Sequence, residues 1–431
     1  MSGERPEVAF VVQRYGEGIT GGSESLARAI AERLAPEYRI TVFTSCARDY
    51  VSWRNELPEG QERLGGVDVR RFPCERERDQ GAFNAYAEPL YARALAASSS
   101  SPPANGATAG GATPGGALST SAASAAPTLD EELEFLRLQG PEVPKLVEAL
   151  RLETERFAAF VFFTYLYYPT YWGLALPEVA DRAALVPTTH DEPPLRFSIY
   201  REVFVRPRAF GFLTAAEQAL VRRRFELAGR PAVLAGMGVD VPPHADADSF
   251  RSRHALERPY AIYAGRIDAG KGCAQMLAHH ARYRREKKDA LDLVLIGRLA
   301  MREPRQDGVR YLGFLPEAEK AAALAGARVV VCPSPFESLS IALLEGLSLG
   351  TPGLVNAHSE VLKEHCLRSG AALYYEDADE YVESMDLVAR DGSLHAALGA
   401  SGRRYVQAEY RWDVVLDRWR ELIRAAAGGR I

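Results

Sequence analysis

Cysteine is sparse in this 431-residue sequence: five, at Cys46, Cys74, Cys273, Cys332 and Cys366, widely scattered and without a C-x-x-C pair. An odd, dispersed set excludes a disulfide framework and a structural zinc site, and it fits a reducing compartment. A basic excess is missing too, since 52 Lys and Arg stand against 57 Asp and Glu for a formal net charge of -5. Wrapping nucleic acid requires phosphate neutralisation, so no nucleic-acid partner is expected. The opening residues Met1 to Glu7 are polar, and the apolar stretch after them is too short for a secretory signal. One uncharged run, Phe157 to Leu176, has the length of a membrane span. Its Tyr165, Tyr167, Tyr168, Tyr171 and Pro169, and the charged Arg151–Arg156 before it, favour a buried strand followed by an aromatic loop. A soluble cytoplasmic protein is expected. Short-period internal repeats are absent.

What is present is ordinary globular composition, 47% hydrophobic and 25% charged, with length for two or three domains. Glu7–Gln13 is a continuous β-branched and aromatic run, as in a strand buried on both faces. The glycine-bearing loop Tyr15–Gly22 follows, then Ser23–Leu34 with Leu26, Ile30 and Leu34 at helical spacing. Strands are expected at Ile40–Thr44 and Val67–Phe72, which completes the βαβ rhythm of a helix-covered parallel sheet. Residues 96–127, almost wholly Ala, Ser, Gly, Thr and Pro, cannot bury enough surface to offset their ordering entropy and read as a disordered insertion. The rhythm resumes with a helix over Pro144–Phe157 and strands at Ala158–Thr164, Ala184–Thr189 and Gly211–Thr214. Thr214-Ala-Ala-Glu217 reads as a capping box opening a helix to Phe225, and Val239–Pro243 as a connector. A second set of strands is expected at Tyr260–Ala264, Leu293–Ile296, Val309–Leu312, Val329–Cys332 and Gly353–Asn356, with helices near 273–286, 316–325 and 340–349. The final stretch, Trp412–Ala427, carries an apolar stripe of Trp412, Val415, Leu416, Trp419 and Leu422.

Four features carry chemistry, and in open α/β sheets ligands bind where strands end and helices begin. Gly265-Arg-Ile-Asp-Ala-Gly-Lys-Gly272 follows a strand and flanks a glycine turn with two cations, which suits a diphosphate. It has no P-loop frame. The competing reading is a surface turn with two solvated cations. In Pro333-Ser-Pro-Phe-Glu337-Ser-Leu-Ser-Ile-Ala-Leu-Leu-Glu345-Gly346, Ser338 or Ser340 is expected to cap a helix. The N–H groups of Ser338, Leu339, Ser340 and Ile341 offer anion contacts, and Glu337 and Glu345 can accept from sugar hydroxyls. Against the bland reading of solvated helix charges, the surrounding leucines make this helix apolar on most sides, and a buried Glu345 needs a partner. The Gly16–Gly22 loop is weak alone: it has no G-x-G-x-x-G frame, which counts against a dinucleotide-dependent dehydrogenase. His190, in Pro187-Thr-Thr-His190-Asp-Glu192, ends another strand; a polar contact to a ligand is a more economical reading than a metal, because no further ligand sits at spacing.

Together these residues resemble the retaining glycosyltransferases of the GT4 type, which have the GT-B fold. Glu337 and Glu345 reproduce that family's E-x7-E, and Gly265-Arg266…Lys271-Gly272 its G-R-x4-K-G, while Gly21-Gly22 and His190 match in the first half. The resemblance implies two Rossmann-like parallel-sheet domains facing across a cleft, with a C-terminal helix returning to the first. The boundaries expected are 1–229 for the acceptor-side domain, 230–410 for the nucleotide-sugar domain and 411–431 for the returning helix. Arg266 and Lys271 would bind the donor diphosphate, Glu337 the sugar hydroxyls and Glu345 the ribose. His190 would reach the reacting centre and Gly21-Gly22 would line it, with Phe314 and Leu315 near the base. Gly346 departs from the commoner Ala of the family.

The implied function is retaining transfer of a hexose from a nucleotide-diphosphate sugar to a saccharide, lipid-linked or small-molecule acceptor in polysaccharide or glycoconjugate synthesis. No cofactor and no metal are expected. The alternatives are a nucleotide-sugar epimerase and a non-catalytic sugar-nucleotide-binding protein, since fold does not fix function. Arg222–Arg224 and Arg282–Lys288 offer basic runs for peripheral contact at the inner membrane face, with solvated helix faces as the competing reading.

Overall fold

The structure, a computed structural model, describes residues 5–19, 21–99, 125–240 and 245–431. It divides into two units, Met1–Gly211 with Val221–Val233 and Arg420–Ile431, and Phe212–Leu220 with Leu234–Trp419.

The first sheet opens with β1 (Glu7–Val11), α1 (Gly22–Leu34), β2 (Arg39–Ser45), β3 (Gly60–Leu64) and β4 (Val67–Phe72). The helices α2 (Gln80–Ser99), α3 (Leu129–Gln139) and α4 (Pro144–Leu152) come next. Then follow β5 (Ala159–Phe163), α5 (Tyr168–Leu174), α6 (Pro177–Ala180), β6 (Ala183–Val186), α7 (Ile199–Val205), β7 (Ala209–Phe212), α8 (Ala215–Arg224) and β8 (Ala232–Leu234). The strand order is β3-β4-β2-β1-β5-β6-β7-β8. Pairs from β4 to β7 run parallel, and β3 lies antiparallel on β4 at the edge. Val8–Val11 and Ala159–Phe163 are buried, which is why these strands read as continuous apolar runs. From β1 the chain moves to β2 on one side and later returns to β5 on the other. That reversal makes the ends of β1 and β5 a topological switch point.

The second sheet is wholly parallel in its described pairs, in the order β11-β10-β9-β12-β13-β14. Its elements are α9 (Ala247–Arg253), β9 (Tyr260–Ala264), α10 (Cys273–Glu286), β10 (Asp292–Ile296), β11 (Val309–Tyr311), α11 (Glu317–Ala325), β12 (Val329–Cys332) and α12 (Ile341–Leu349). After these come β13 (Gly353–Asn356), α13 (Glu360–Ser369), β14 (Ala372–Tyr375), α14 (Ala378–Arg390), α15 (Gly392–Glu409) and α16 (Trp412–Ala427). The switch point here lies between β9 and β12. In α16, Val415, Trp419 and Leu422 of the expected stripe are buried and Trp412 and Leu416 half-buried. The helix ends in the first unit, where Leu422 seats over Gly211 of β7; a Cβ at Gly211 would stand 2.5 Å from Leu422 Cδ2.

Some expectations are corrected. The aromatic loop after β5 is partly the helix α5, with Pro169 in its first turn, where a missing N–H costs nothing. No helix of the described residues is long and apolar enough to cross a membrane. The helix from Pro144 ends at Leu152 rather than Phe157, and a short 3-10 turn, Thr154–Arg156, leads into β5. Of the insertion expected at 96–127, residues 96–99 continue α2, consistent with the helix propensity of alanine, while 100–124 lie outside the described residues. Most of the Val239–Pro243 connector does so as well, at 241–243. At Thr214 the side-chain half of the expected box is present, Oγ1 accepting from Glu217 N–H (3.1 Å), and the Glu217 carboxylate accepts from Leu213 N–H (2.6 Å).

Candidate functional site

At the end of β9, Gly265–Gly272 wraps around Asp268. One Asp268 oxygen accepts from Lys271 N–H (2.8 Å) and the other from the Arg266 guanidinium, an Asx-type turn that presents both cations. Tyr263 OH donates to Arg266 C=O (2.7 Å). Gly272 has φ 73°, and a Cβ there would lie 2.4 Å from Pro333 O, so glycine lets this turn rest against the loop after β12. Across that contact Lys271 Nζ donates to Glu337 Oε1 at 2.7 Å, with the two side chains 32% and 19% exposed.

Neighbouring elements fix the second loop. Asn356 Nδ2, at the end of β13, donates to Pro333 O (2.9 Å), and Ser334 Oγ donates to Phe336 O (2.7 Å). His365 Nε2, from α13, bonds Leu339 O at 2.8 Å. A carbonyl can only accept, so the His365 proton is assigned to Nε2, and Nδ1 accepts from Tyr405 OH (3.0 Å). Burial pushes the His365 pKa down to about 4 and keeps the ring neutral.

The expected serine cap does not form. Ser340 occupies the N-cap position of α12 in a left-handed conformation (φ 64°), which turns its hydroxyl away to Cys332 Sγ (3.8 Å). The first turn of α12 therefore carries no side-chain cap, as suits a helix end that meets an anion. Ser338 and Ile341 are half-buried and Leu339 buried.

Glu345 has the partner its apolar helix demands. Lys320 Nζ of α11 sits 2.8 Å from Glu345 Oε1 and 2.7 Å from Glu317 Oε2. Burial raises the Glu345 pKa and Lys320 acts against it. For Lys320 itself, burial is outweighed by the two carboxylates, and its pKa rises. Gly346, next along α12, faces β12: a Cβ there would fall 2.4 Å from Val330 Cγ2. At the end of β11, Phe314 is 72% exposed and Leu315 is buried.

Gly21, Gly22 and His190 lie in the first unit. Gly21 is the N-cap of α1, and a Cβ there would fall 2.2 Å from Glu24 Oε2. Glu24 is itself bound by Arg14 Nε (2.9 Å) and Nη2 (2.5 Å), whereas Gly22 faces open space. His190 Nε2 lies 3.6 Å from Glu192 Oε2, and Glu192 Oε1 accepts from Tyr165 OH (2.9 Å). Its neighbour Asp191 is paired with Arg196 and Arg224.

The structure thus places Arg266 and Lys271 after β9, Phe314 and Leu315 after β11, Glu337 and Ser338–Ile341 after β12 and Glu345 within α12, and of these it brings Lys271 onto Glu337. Sequence reasoning did not single out Asp268, Lys320, Asn356 or His365. For Lys320 a signal existed, because a carboxylate on a leucine-rich helix has to find a cation. Asn356 and His365 reach the loop from elements remote in sequence, and no local pattern announces them. Among the described residues no three His, Cys, Asp or Glu side chains are grouped to hold a metal ion, and the five cysteines are buried and free. The basic run from Arg282 is largely paired: Arg282 with Glu286 and Asp379, Arg284 with Asp292 and Asp307, Lys287 with Glu383.

Residues 245–405 match the model of the family described as glycosyl transferases group 1, which bears out the resemblance read from the motifs. Curated relatives include the O-antigen chain mannosyltransferase B of Escherichia coli, 29% identical over 103 residues, 22% of this chain and 27% of that protein. A glycogen synthase of Thermus thermophilus is 28% identical over 195 residues, 42% of each chain. The chain therefore spans about a quarter to two fifths of the length of these relatives. Among solved structures, a sucrose-phosphate synthase from Thermosynechococcus elongatus superposes with a TM-score of 0.66 at 17% identity, covering 97% of this chain and 98% of that one. That likeness shows the GT-B fold.

Proposed function

With a group 1 glycosyltransferase domain over residues 245–405 as premise, we propose that the protein is a retaining glycosyltransferase. It would move a hexose from a nucleotide-diphosphate sugar to a saccharide or lipid-linked acceptor. The observation that carries the reading is the cation turn of β9 seated against the Glu337 loop, with Lys271 Nζ 2.7 Å from Glu337 Oε1.

Departure of the nucleoside diphosphate places negative charge on phosphate oxygens and positive charge on the anomeric carbon. Arg266 and Lys271 are preset by Asp268 and Glu337, so their charge acts where it develops with little reorganisation. The uncapped first turn of α12 adds N–H donors for the phosphates. Glu337 and Glu345 accept from sugar and ribose hydroxyls, and exposed Phe314 offers a face for the base. Since two fixed cations supply the charge that a divalent ion would otherwise bring, activity is expected to persist in excess chelator. The roles implied for His190, Gly21 and Gly22 on the acceptor side belong to the same reading, as do retention of configuration and a cytoplasmic setting. Mannosyl- and glucosyl-transferring names among the relatives favour a hexose.

Incubation of the full chain with UDP-, GDP- and ADP-hexoses, plus saccharide and lipid-linked acceptors with and without EDTA, tests this. Glycosylated product is expected. Epimerised nucleotide sugar, or binding without turnover, would overturn it.

A further inference from the structure

Lys320 is not accounted for by the roles above. It projects from α11, whose Ala321–Leu324 are buried, yet its ammonium ends between two carboxylates of very different exposure. Glu345 is 18% exposed and Glu317 is 79% exposed. A solvated pair contributes little, whereas a shielded carboxylate without a partner is costly. The significant contact is therefore the inner one, at 2.8 Å from Glu345 Oε1.

We infer that Lys320 is a positioning residue for the donor: it engages Oε1 of Glu345 so that Oε2 is presented to the nucleotide ribose. The inference rests on the donor site proposed above and names a residue through which Glu345 acts. A carboxylate accepts at both oxygens, and a protonated carboxyl loses part of that capacity. The charged groups bearing on Glu345 are Lys320 and Glu317 from α11 and Asp240 from the connector. Glu317, Asp240 and burial favour its protonated form, and Lys320 opposes them. Without Lys320, burial, Glu317 and Asp240 would act on Glu345 without the cation that opposes them.

Calorimetric titration of the full chain with UDP, GDP and ADP across mildly acid to mildly basic pH tests this. For whichever nucleotide the wild type binds, Lys320→Met should weaken affinity about tenfold, in keeping with loss of a charged hydrogen bond. Its affinity should also fall, on acidification, at a higher pH than in the wild type. Lys320→Arg should restore most of the loss, and Glu317→Gln should leave affinity within about twofold. On a Glu345→Gln background, Lys320→Met should bring no further change. Unchanged affinity and pH profile in a folded Lys320→Met protein, or an equal loss on the Glu345→Gln background, would overturn the inference. A wild type that gives no heat with any of the nucleotides removes the donor reading itself, and this inference with it.

Discussion

The two units place a cationic glycine loop at the same topological position, between the first strand of the sheet and the helix that follows it, and they use it in opposite ways. After β1, Arg14 turns inward onto Glu24, and the two side chains are 5% and 6% exposed. After β9, Arg266 and Lys271 stay 43% and 32% exposed, held by Asp268 and Glu337 rather than sealed by them. The first loop spends its cation on the fold. In the second, charge remains accessible to an anionic ligand and is preset at little desolvation cost. A glycine loop at a switch point therefore does not by itself mark a phosphate site; under the function proposed above, the solvent access of its cations is what separates the second loop from the first.

The sharpest way to break this contrast is to remove each cation in turn. Arg14→Ala leaves Glu24 buried without its partner, and loss of one member of a buried pair costs about 3–5 kcal/mol. A large fall in the urea midpoint is expected, in a protein that still binds donor nucleotide when folded. Lys271→Ala or Arg266→Ala should do the reverse, cutting transfer about 100-fold, as for other preorganised electrostatic groups, with melting close to wild type. If Arg14→Ala melts normally while abolishing nucleotide binding, the first loop is a phosphate site and the contrast is wrong.

The same contrast explains what was legible in the sequence. Buried parallel strands announce themselves as uninterrupted apolar runs, so β1, β9, β12 and β13 could be placed to within a residue or two. β3 could not: Gly60-Gln-Glu-Arg-Leu64 is a polar edge strand without an apolar run, joined to β4 by its backbone and by the ion pairs Glu62–Arg71 and Arg63–Asp68. At the site, Arg266, Lys271, Glu337 and Glu345 were readable because their spacing within one loop or helix is local. Asp268 hides inside its own motif as an ordinary turn residue. His365 lies 26 residues beyond the carbonyl it supports, and that contact exists because β13 and α13 bring it back to the end of β12.

His365 also sets a pH dependence that tells support from catalysis. His365 and His280 are fully buried, and burial lowers both to about 4 from an ordinary 6.5. Between these values the unfolded chain binds protons that the folded one refuses, so stability falls as pH drops from about 6.5 towards about 4. His365→Gln keeps a donor for Leu339 O but does not titrate. Its stability should decline less steeply with acid than that of the wild type. Equal slopes in denaturant titrations across this range would show that His365 is not held neutral.

The smallest effect concerns Gly346, where the second unit's helix meets its sheet. Ala is the better helix former by up to about 1 kcal/mol, so Gly346→Ala should stabilise an unconstrained helix. Here the added methyl would stand 2.4 Å from Val330 Cγ2. Val330 is fully buried on β12, paired to β9 on one side and β13 on the other, and its β-branched side chain has few rotamers to escape into. Overpacking of this kind costs about 1–3 kcal/mol, so a net loss of stability is expected. It should come with weaker nucleotide binding, because Glu345 is the preceding residue on the displaced turn. Shortening Val330 to alanine removes the obstructing carbon. On that background Gly346→Ala should lose its penalty and recover the helix-propensity gain. If Gly346→Ala alone melts at or above the wild-type temperature, the close approach of α12 to β12 is not what requires glycine at this position.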